Sequence, residues 1–314
     1  MEEYEATNPA SHAELRTTVI NEKETFEALF LTHRSMVCVA NECAHAIIGL
    51  DGAHMKHRHY NHQQLVLEGR DGAGKNVLLA TALVPIENEH WYTQFLRFCK
   101  ASGFAALMSR VDLVVVSDRD KGLLPAIASE LPNALHRFCT RHIVGNIKAA
   151  KDIPSSGLGP KECLIWAAQQ ALTRADYEKA IGALKARNER AAAYLDAIDH
   201  DSWTHYATVK RGVSLFGWRC FNFVESENSR QAELRKLDPL HFADGILEFW
   251  QRQIHKLRSV ALKWEGIINP VALTEYEQGL AFHTAYRVLP FPGIRKHAYV
   301  KSPSTEEQTR YLVA

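Results

Sequence analysis

"IIGLDGAHMK" (residues 47–56) is the stretch on which the fold turns. The apolar run Ala46–Leu50 is fit for a protein core, yet it hands over directly to a carboxylate, Asp51, with Gly52 and His54 close behind. "DLVVVSDRDKGLLPAI" (112–127) repeats the pattern, because an almost purely β-branched run, Leu113 to Val116, delivers Asp118 into a turn. Short apolar runs bounded by turn residues read as strands buried on both faces. An aspartate at a strand end is most often a turn former or a helix N-cap. Two buried strands that each end on one raise a second reading, in which the two carboxylates are halves of one site.

Working outward, "QQLVLEG" (63–69) and "NVLLATALVPI" (76–86) are further strands, and the "RDGAGKN" between them carries hairpin-turn signals. "NEHWYTQFLRFCKASG" (88–103) places Trp91, Phe95 and Phe98 on one helical face and closes at Gly103. After the strand at 113–117 come a helix over about 121–131, a short strand at 134–138 and another helix. A helical crossover returns the chain parallel to a strand it left, with right-handed geometry. A three-stranded meander followed by two such crossovers therefore predicts a mixed five-stranded sheet flanked by helices, with the strand ending at Asp118 parallel to the one ending at Asp51. That is a ribonuclease-H-like α/β architecture.

Upstream, "INEKETFEALFLTHR" (20–34) has Phe26, Leu29 and Phe30 at helical spacing, so residues 1–44 read as a helical lead-in. The core's first part spans 45–150. Residues 151–205, alanine-rich with apolar spacing of three to four, read as an all-helical insert. Residues 206–314 complete the core, with a helix from about Glu225 and another over 245–266 carrying Ile246, Phe249, Trp250, Ile254 and Leu257 on one face.

The composition limits the function classes. At 314 residues, with 46% hydrophobic and 23% charged residues, the chain has the make-up of a soluble globular protein. No apolar run approaches the ~20 residues of a membrane helix. The acidic, polar start "MEEYEATNPASHAEL" is no signal or transit peptide. The six cysteines show no paired spacing, which points to reduced thiols in the cytosol or nucleus. A net charge of +1 leaves nucleic-acid binding to a local basic patch.

Two close carboxylates in a polar cleft need a cation to stay ionised together. With a third they make a platform for two Mg²⁺ or Mn²⁺ ions, which clamp the attacking and leaving oxygens of a phosphodiester displacement. The best third candidate is Glu225 in "NFVESEN", where it opens a helix; Glu227 points elsewhere on that helix. Taken alone, Glu225 is equally a favourable charge in a first helical turn. Arg211, Arg219, Arg230, Arg235 and Lys236 flank it and read equally as phosphate contacts or as a solvated charged face. His54, His57, His59 and His62 tempt a metal reading, but the strand period keeps them from facing one side. "GAGK" (72–75) lacks the spacing and hydroxyl residue of a phosphate-binding loop.

These stretches together resemble the catalytic core of Mutator-like (MULE) DNA transposases. The resemblance is carried by "EATNPASH" (5–12), "DGAHMKH" (51–57), "GRDGAGKN" (69–76), "ENEHWYTQFL" (87–96), "VSDRDKGLLPAIASELPNALHRFCTRHI" (116–143), Trp166, Tyr194, Leu195, Trp203 and "CFNFVESEN" (220–228). It departs at Ala53, where the family has threonine, and at Asp120, which adds a negative charge beside Asp118.

The resemblance implies a DDE transposase. Asp51, Asp118 and Glu225 match its metal-binding carboxylates, which hold two Mg²⁺ or Mn²⁺ ions. Such enzymes use water, then a DNA 3′-hydroxyl, to attack phosphodiesters at element ends and target DNA. Implied partners are terminal inverted repeats and target DNA, with a homodimer or higher oligomer assembled on them in the nucleus, and no membrane. His54, Cys139, His142 and Asn228 stand at accessory positions. Cys139-x-x-His142 matches a family signature, and a packing or hydrogen-bonding role is favoured over zinc, because it offers only two of four ligands. Relatives carry an N-terminal zinc module and a C-terminal SWIM finger that are not in this sequence, so an excised core, a truncated copy or a domesticated derivative is expected. The rival reading is a transposase-derived DNA-binding or transcriptional regulatory protein without catalysis. A plain metal-dependent nuclease would share the same site.

Overall fold

The structure is a computed structural model that describes residues 11–213, 215, 231–265, 270–283, 287–290, 298–301 and 310–313. The chain divides between Ser259 and Val260 into two compact units.

The first unit is built on a mixed sheet. Its strands are β1 (His12–Ile20), β2 (Lys23–Thr32), β3 (Ile47–His54), β4 (Gln63–Arg70), β5 (Asn76–Val84), β6 (Val114–Ser117) and β7 (Leu135–Phe138). Their spatial order is β1-β2-β5-β4-β3-β6-β7, antiparallel from β1 to β3 and parallel from β3 to β7. The five predicted strands are β3 to β7, and the predicted parallel pairing of β3 with β6 is present. The sheet has seven strands rather than five, because β1 and β2 extend it.

Those two strands overturn the helical lead-in. Asn21 and Glu22 both adopt positive φ, 49° and 62°, which makes the two-residue primed turn that matches strand twist. Phe26, Leu29 and Phe30 fit helical spacing only because Ala28 to Thr32 are all buried where β2 pairs with β5. A strand covered on both faces loses the alternation that would reveal it. Of the lead-in, only α1 (Arg34–Glu42) is helical among the described residues.

The helices α2 (Glu89–Cys99), α4 (Leu123–Glu130) and α5 (Thr140–Ala149) follow the predicted order, with an additional short α3 (Ala105–Met108) after Gly103. With the sheet, α1 to α4 enclose one apolar core that includes Phe30, Tyr92, Phe95, Phe104 and Val115. Trp250 on α10 (Pro239–Ala261) joins this core and donates its indole N–H to the Leu78 carbonyl at 2.8 Å. A second apolar cluster, from Ile143 to Trp203, unites α5 with α6 (Cys163–Gln170), α7 (Arg174–Lys185) and α8 (Glu189–Asp196). Just beyond comes the short α9 (His205–Lys210). Buried Arg137 of β7 ties this helical region to the sheet, donating to the carbonyls of Thr204 at 2.7 Å and Asp201 at 3.2 Å.

The helix expected from Glu225 lies in part outside the described residues, and residues 231–238 form a turn and a short 3-10 helix (Leu234–Lys236) before α10 begins. The boundary between the two units falls within the stretch 206–314, read as core completion and C-terminal helices. The second unit holds α11 (Pro270–His283) and a three-stranded antiparallel sheet of β8 (Arg287–Pro290), β9 (Ala298–Lys301) and β10 (Arg310–Val313). Among the described residues no helix is long and apolar enough to cross a membrane.

Candidate active site

The parallel pairing of β3 and β6 places the two aspartates. Gly49 is partnered with Val116, and the same register carried two residues on brings Asp51 level with Asp118. β6 ends at Ser117, just before Asp118, whereas β3 runs on past Asp51 to His54, paired there with β4. A third donor arrives from the next crossover. β7 pairs with β6 as far as Phe138, and α5 starts at once, carrying His142 back toward the strand ends. One carboxylate oxygen of Asp51, one of Asp118 and a ring nitrogen of His142 all lie within 4.8 Å of one another.

The Asp118 loop is held by its own short side chains. Asp118 Oδ1 accepts from the Asp120 N–H at 3.0 Å, and Asp120 Oδ1 accepts from the N–H groups of Gly122 at 2.7 Å and Leu123 at 3.3 Å. Asp120 is thus the capping residue of the turn into α4, which accounts for a second acidic residue beside Asp118. Ser117 donates to the Asp118 carbonyl at 2.7 Å and is 2.7 Å from half-buried His136 Nε2. Arg119 points to the helical region, stacking over the Tyr194 ring at 5.3 Å and donating to its hydroxyl.

Electrostatics favour a cation at this place. Burial raises the Asp118 carboxyl above its ordinary range and Asp120 adds to the rise, while the Asp120 N–H, His142 and Arg119 act against it. Buried Arg235, just beyond the undescribed stretch 216–230, has its guanidinium lowered by burial and supported by Asp51. Two carboxylate oxygens with an imidazole nitrogen fit Mg²⁺ or Mn²⁺, and the nitrogen suits Mn²⁺ the better.

Of the residues singled out in the sequence, Asp51 and Asp118 come together, and Glu225 and Asn228 lie outside the described residues. His142 joins the aspartates, while Cys139 does not. Buried Cys139 opens α5, its N–H donating to the Ser117 carbonyl at 2.8 Å and its carbonyl accepting from Ile143. His54 is turned to Gln63, 2.7 Å away, so it belongs to the β3–β4 pairing. His57 meets His59 edge to face and His62 stacks on Tyr60, so these histidines form no common ligand set. Arg211 pairs with Asp201 at 2.7 Å and Lys236 with Glu233 at 2.6 Å, and Arg219 and Arg230 lie outside the described residues. Sequence reasoning ranked Arg235 with these basic neighbours and missed that Asp51 supports its guanidinium. It also passed over Glu87, which burial, Asp118 and Asp120 together raise.

The family model of the MULE transposase domain matches residues 47–146, which hold Asp51, Asp118 and His142. No curated protein matches the chain. Among solved structures, a chain of the cryo-EM structure of the simian T-cell lymphotropic virus intasome in complex with PP2A regulatory subunit B56 gamma is similar at 9% identity, covering 85% of this chain and 78% of that one with a TM-score of 0.20. That likeness is too slight to bear on fold or function.

Proposed function

We propose, from the match of the MULE transposase domain model to residues 47–146, that this chain is a ribonuclease-H-like DDE transposase core acting on the phosphodiesters of DNA. The observation that carries the reading is the meeting of Asp51 within β3, Asp118 just after β6 and His142 in the first turn of α5. In this reading Asp51, Asp118 and Glu225 hold two Mg²⁺ or Mn²⁺ ions, with His142 beside them. Bound cations would supply Lewis acidity to the scissile phosphate and lower the pKa of an attacking water.

The chain's own residues set the geometry. Asp51 lies in β3 and Asp118 directly follows β6, so the parallel pairing of the two strands holds the aspartates near one another without a ligand. The Asp120 N–H leaves only one Asp118 oxygen unengaged by the loop, which orients that carboxylate. Arg235 balances Asp51 without entering the three-donor group. The DNA substrate, terminal inverted repeats joined to target, an oligomer assembled on them and nuclear residence belong to the same proposal. The helical region 151–205 is taken as an insert ahead of Glu225.

The test is calorimetric titration of Mn²⁺ into the protein beside Asp118→Asn and Glu225→Gln. Binding that both substitutions weaken supports one shared carboxylate site and is followed by cleavage of DNA carrying element ends. Wild-type binding no stronger than that of the variants, with DNA present, gives the chain instead to the non-catalytic regulatory reading.

A further inference from the structure

The basic patch expected around Glu225 is largely engaged elsewhere, since Arg211 and Lys236 are ion-paired and Arg235 is buried. Unpaired cations stand instead beyond Asp51 on the same strand. β3 runs on from Asp51 to His54, and the chain then crosses to β4 through "MKHRHYNH" (55–62). From Gly52 to Leu67 the sequence has no acidic residue, while Lys56, Arg58 and four histidines fall within it. Among the described residues Lys56 and Arg58 meet no carboxylate, and both are exposed.

The connection is anchored at several points. Met55 and Tyr60 are buried and belong to the apolar core of the sheet. The Met55 N–H donates to the His62 carbonyl at 2.9 Å, and the Tyr60 N–H donates to the His57 carbonyl at 3.3 Å. His62 stacks on the Tyr60 ring with centroids 4.0 Å apart, and Phe26 of β2 meets that ring edge-on at 5.6 Å. The Lys56 N–H donates to the Arg235 carbonyl at 2.7 Å, which ties the connection to the segment ahead of α10. Apolar side chains thus root the backbone while Lys56 and Arg58 stay in solvent. A cation that no carboxylate of the protein neutralises keeps its charge for an anionic ligand.

The spacing fits a nucleic-acid backbone. Three residues of strand, from Asp51 to His54, span about 10 Å. A DNA strand carries one phosphate per about 3.4 Å of its axis. A strand held at Asp51 therefore brings phosphates roughly three to five positions away alongside the cations. We propose that the β3–β4 connection is a phosphate grip, in which Lys56 and Arg58 hold the backbone of duplex DNA beside the aspartate site and read no base sequence. Contacts of this kind set the position and register of a duplex and carry no sequence information themselves. The inference rests on the reading of this chain as one that acts on the phosphodiesters of DNA.

The experiment measures, by fluorescence anisotropy over a salt series and without added metal, the binding of duplexes of two unrelated sequences. Wild type is compared with Lys56→Gln/Arg58→Gln and with the charge-keeping Lys56→Arg/Arg58→Lys. A third pair, Lys179→Gln/Lys185→Gln, removes two exposed cations from α7. Loss of both loop cations is expected to flatten the slope of log affinity against log salt by about two. It is also expected to weaken binding roughly tenfold or more at low salt, equally for both sequences. The charge-keeping pair and the α7 pair are expected to bind as wild type does. All variants are expected to melt with wild type, since Met55 and Tyr60 stay in place. An unchanged slope for the loop pair, an equal fall for the α7 pair, or a loss on one sequence alone overturns the inference. If the loop pair binds DNA as wild type does while Asp118→Asn weakens Mn²⁺, the inference falls and the site reading stands. If wild type binds no duplex, the inference falls, and if it binds no Mn²⁺ either, the site reading falls with it.

Discussion

Gly122→Ala is the substitution that most directly probes how the Asp118 loop is set. Gly122 has φ −82° and ψ −34°, a conformation alanine adopts freely, so the backbone itself raises no objection. Space does. The new methyl would meet Asn88 C and Glu89 N at 2.5 Å and Asn88 Cα at 2.6 Å, all main-chain atoms at a capped helix start. Carbon contacts relax at about 3.5–4.0 Å, so loop and helix must part by roughly 1 Å. Forcing a methylene into a packed place costs about 1–3 kcal/mol. The smaller unfolded-state entropy of alanine returns about 0.4–1 kcal/mol. The expected net loss is therefore about 1–2 kcal/mol, or a Tm lower by roughly 3–6 °C for a domain of this size. Mn²⁺ affinity should fall with it, because the displaced segment carries Asp118. Gly145→Ala and Gly182→Ala are the matched controls: both lie inside helices with nothing within 4 Å of the added carbon. They should gain about 0.5–1 kcal/mol. Chemical denaturation of the three variants decides the matter. If Gly122→Ala is as stable as its two controls, the close seating of the loop on α2 is wrong, and with it the account of how Asp118 is positioned.

Two further predictions concern the same strand ends. Burial lowers the His136 imidazole from 6.5 to about 4, so the unfolded chain takes up this proton first as the pH falls. Its contribution to stability is complete above pH 6.5 and is lost progressively down to about pH 4, on the order of 3 kcal/mol in all. Urea unfolding at pH 7 and pH 4.5 should show a smaller acid loss for His136→Asn than for wild type; equal losses would remove His136 as the cause. Tyr194→Phe deletes the hydroxyl that accepts from Arg119 and leaves the ring beneath the guanidinium. It should cost about 1 kcal/mol in the same assay, and Tyr194→Ala more; two neutral variants would mean that α8 does not brace the Asp118 loop.

Five strands, their order and the parallel return of β6 beside β3 were legible in the sequence, because each strand is a short apolar run set off by turn residues and because crossovers have one favoured hand. The level placement of Asp51 and Asp118 follows from that topology alone. The β1–β2 hairpin was not legible in the same way. Its apolar spacing satisfies both a helix and a doubly covered strand, and the one local clue was an asparagine at the turn. His142 was visible as half of a motif, but only the start of α5 against β7 decides that it, and not Cys139, meets the aspartates. Glu87, which sits against Gly52, and Arg235, which Asp51 supports, carried no signal in their own segments, since those neighbours lie far away in the chain. Local pattern determines which segments are strands and where carboxylates leave them. Which side chains then share one small volume is decided by packing between distant segments, and no local period encodes that.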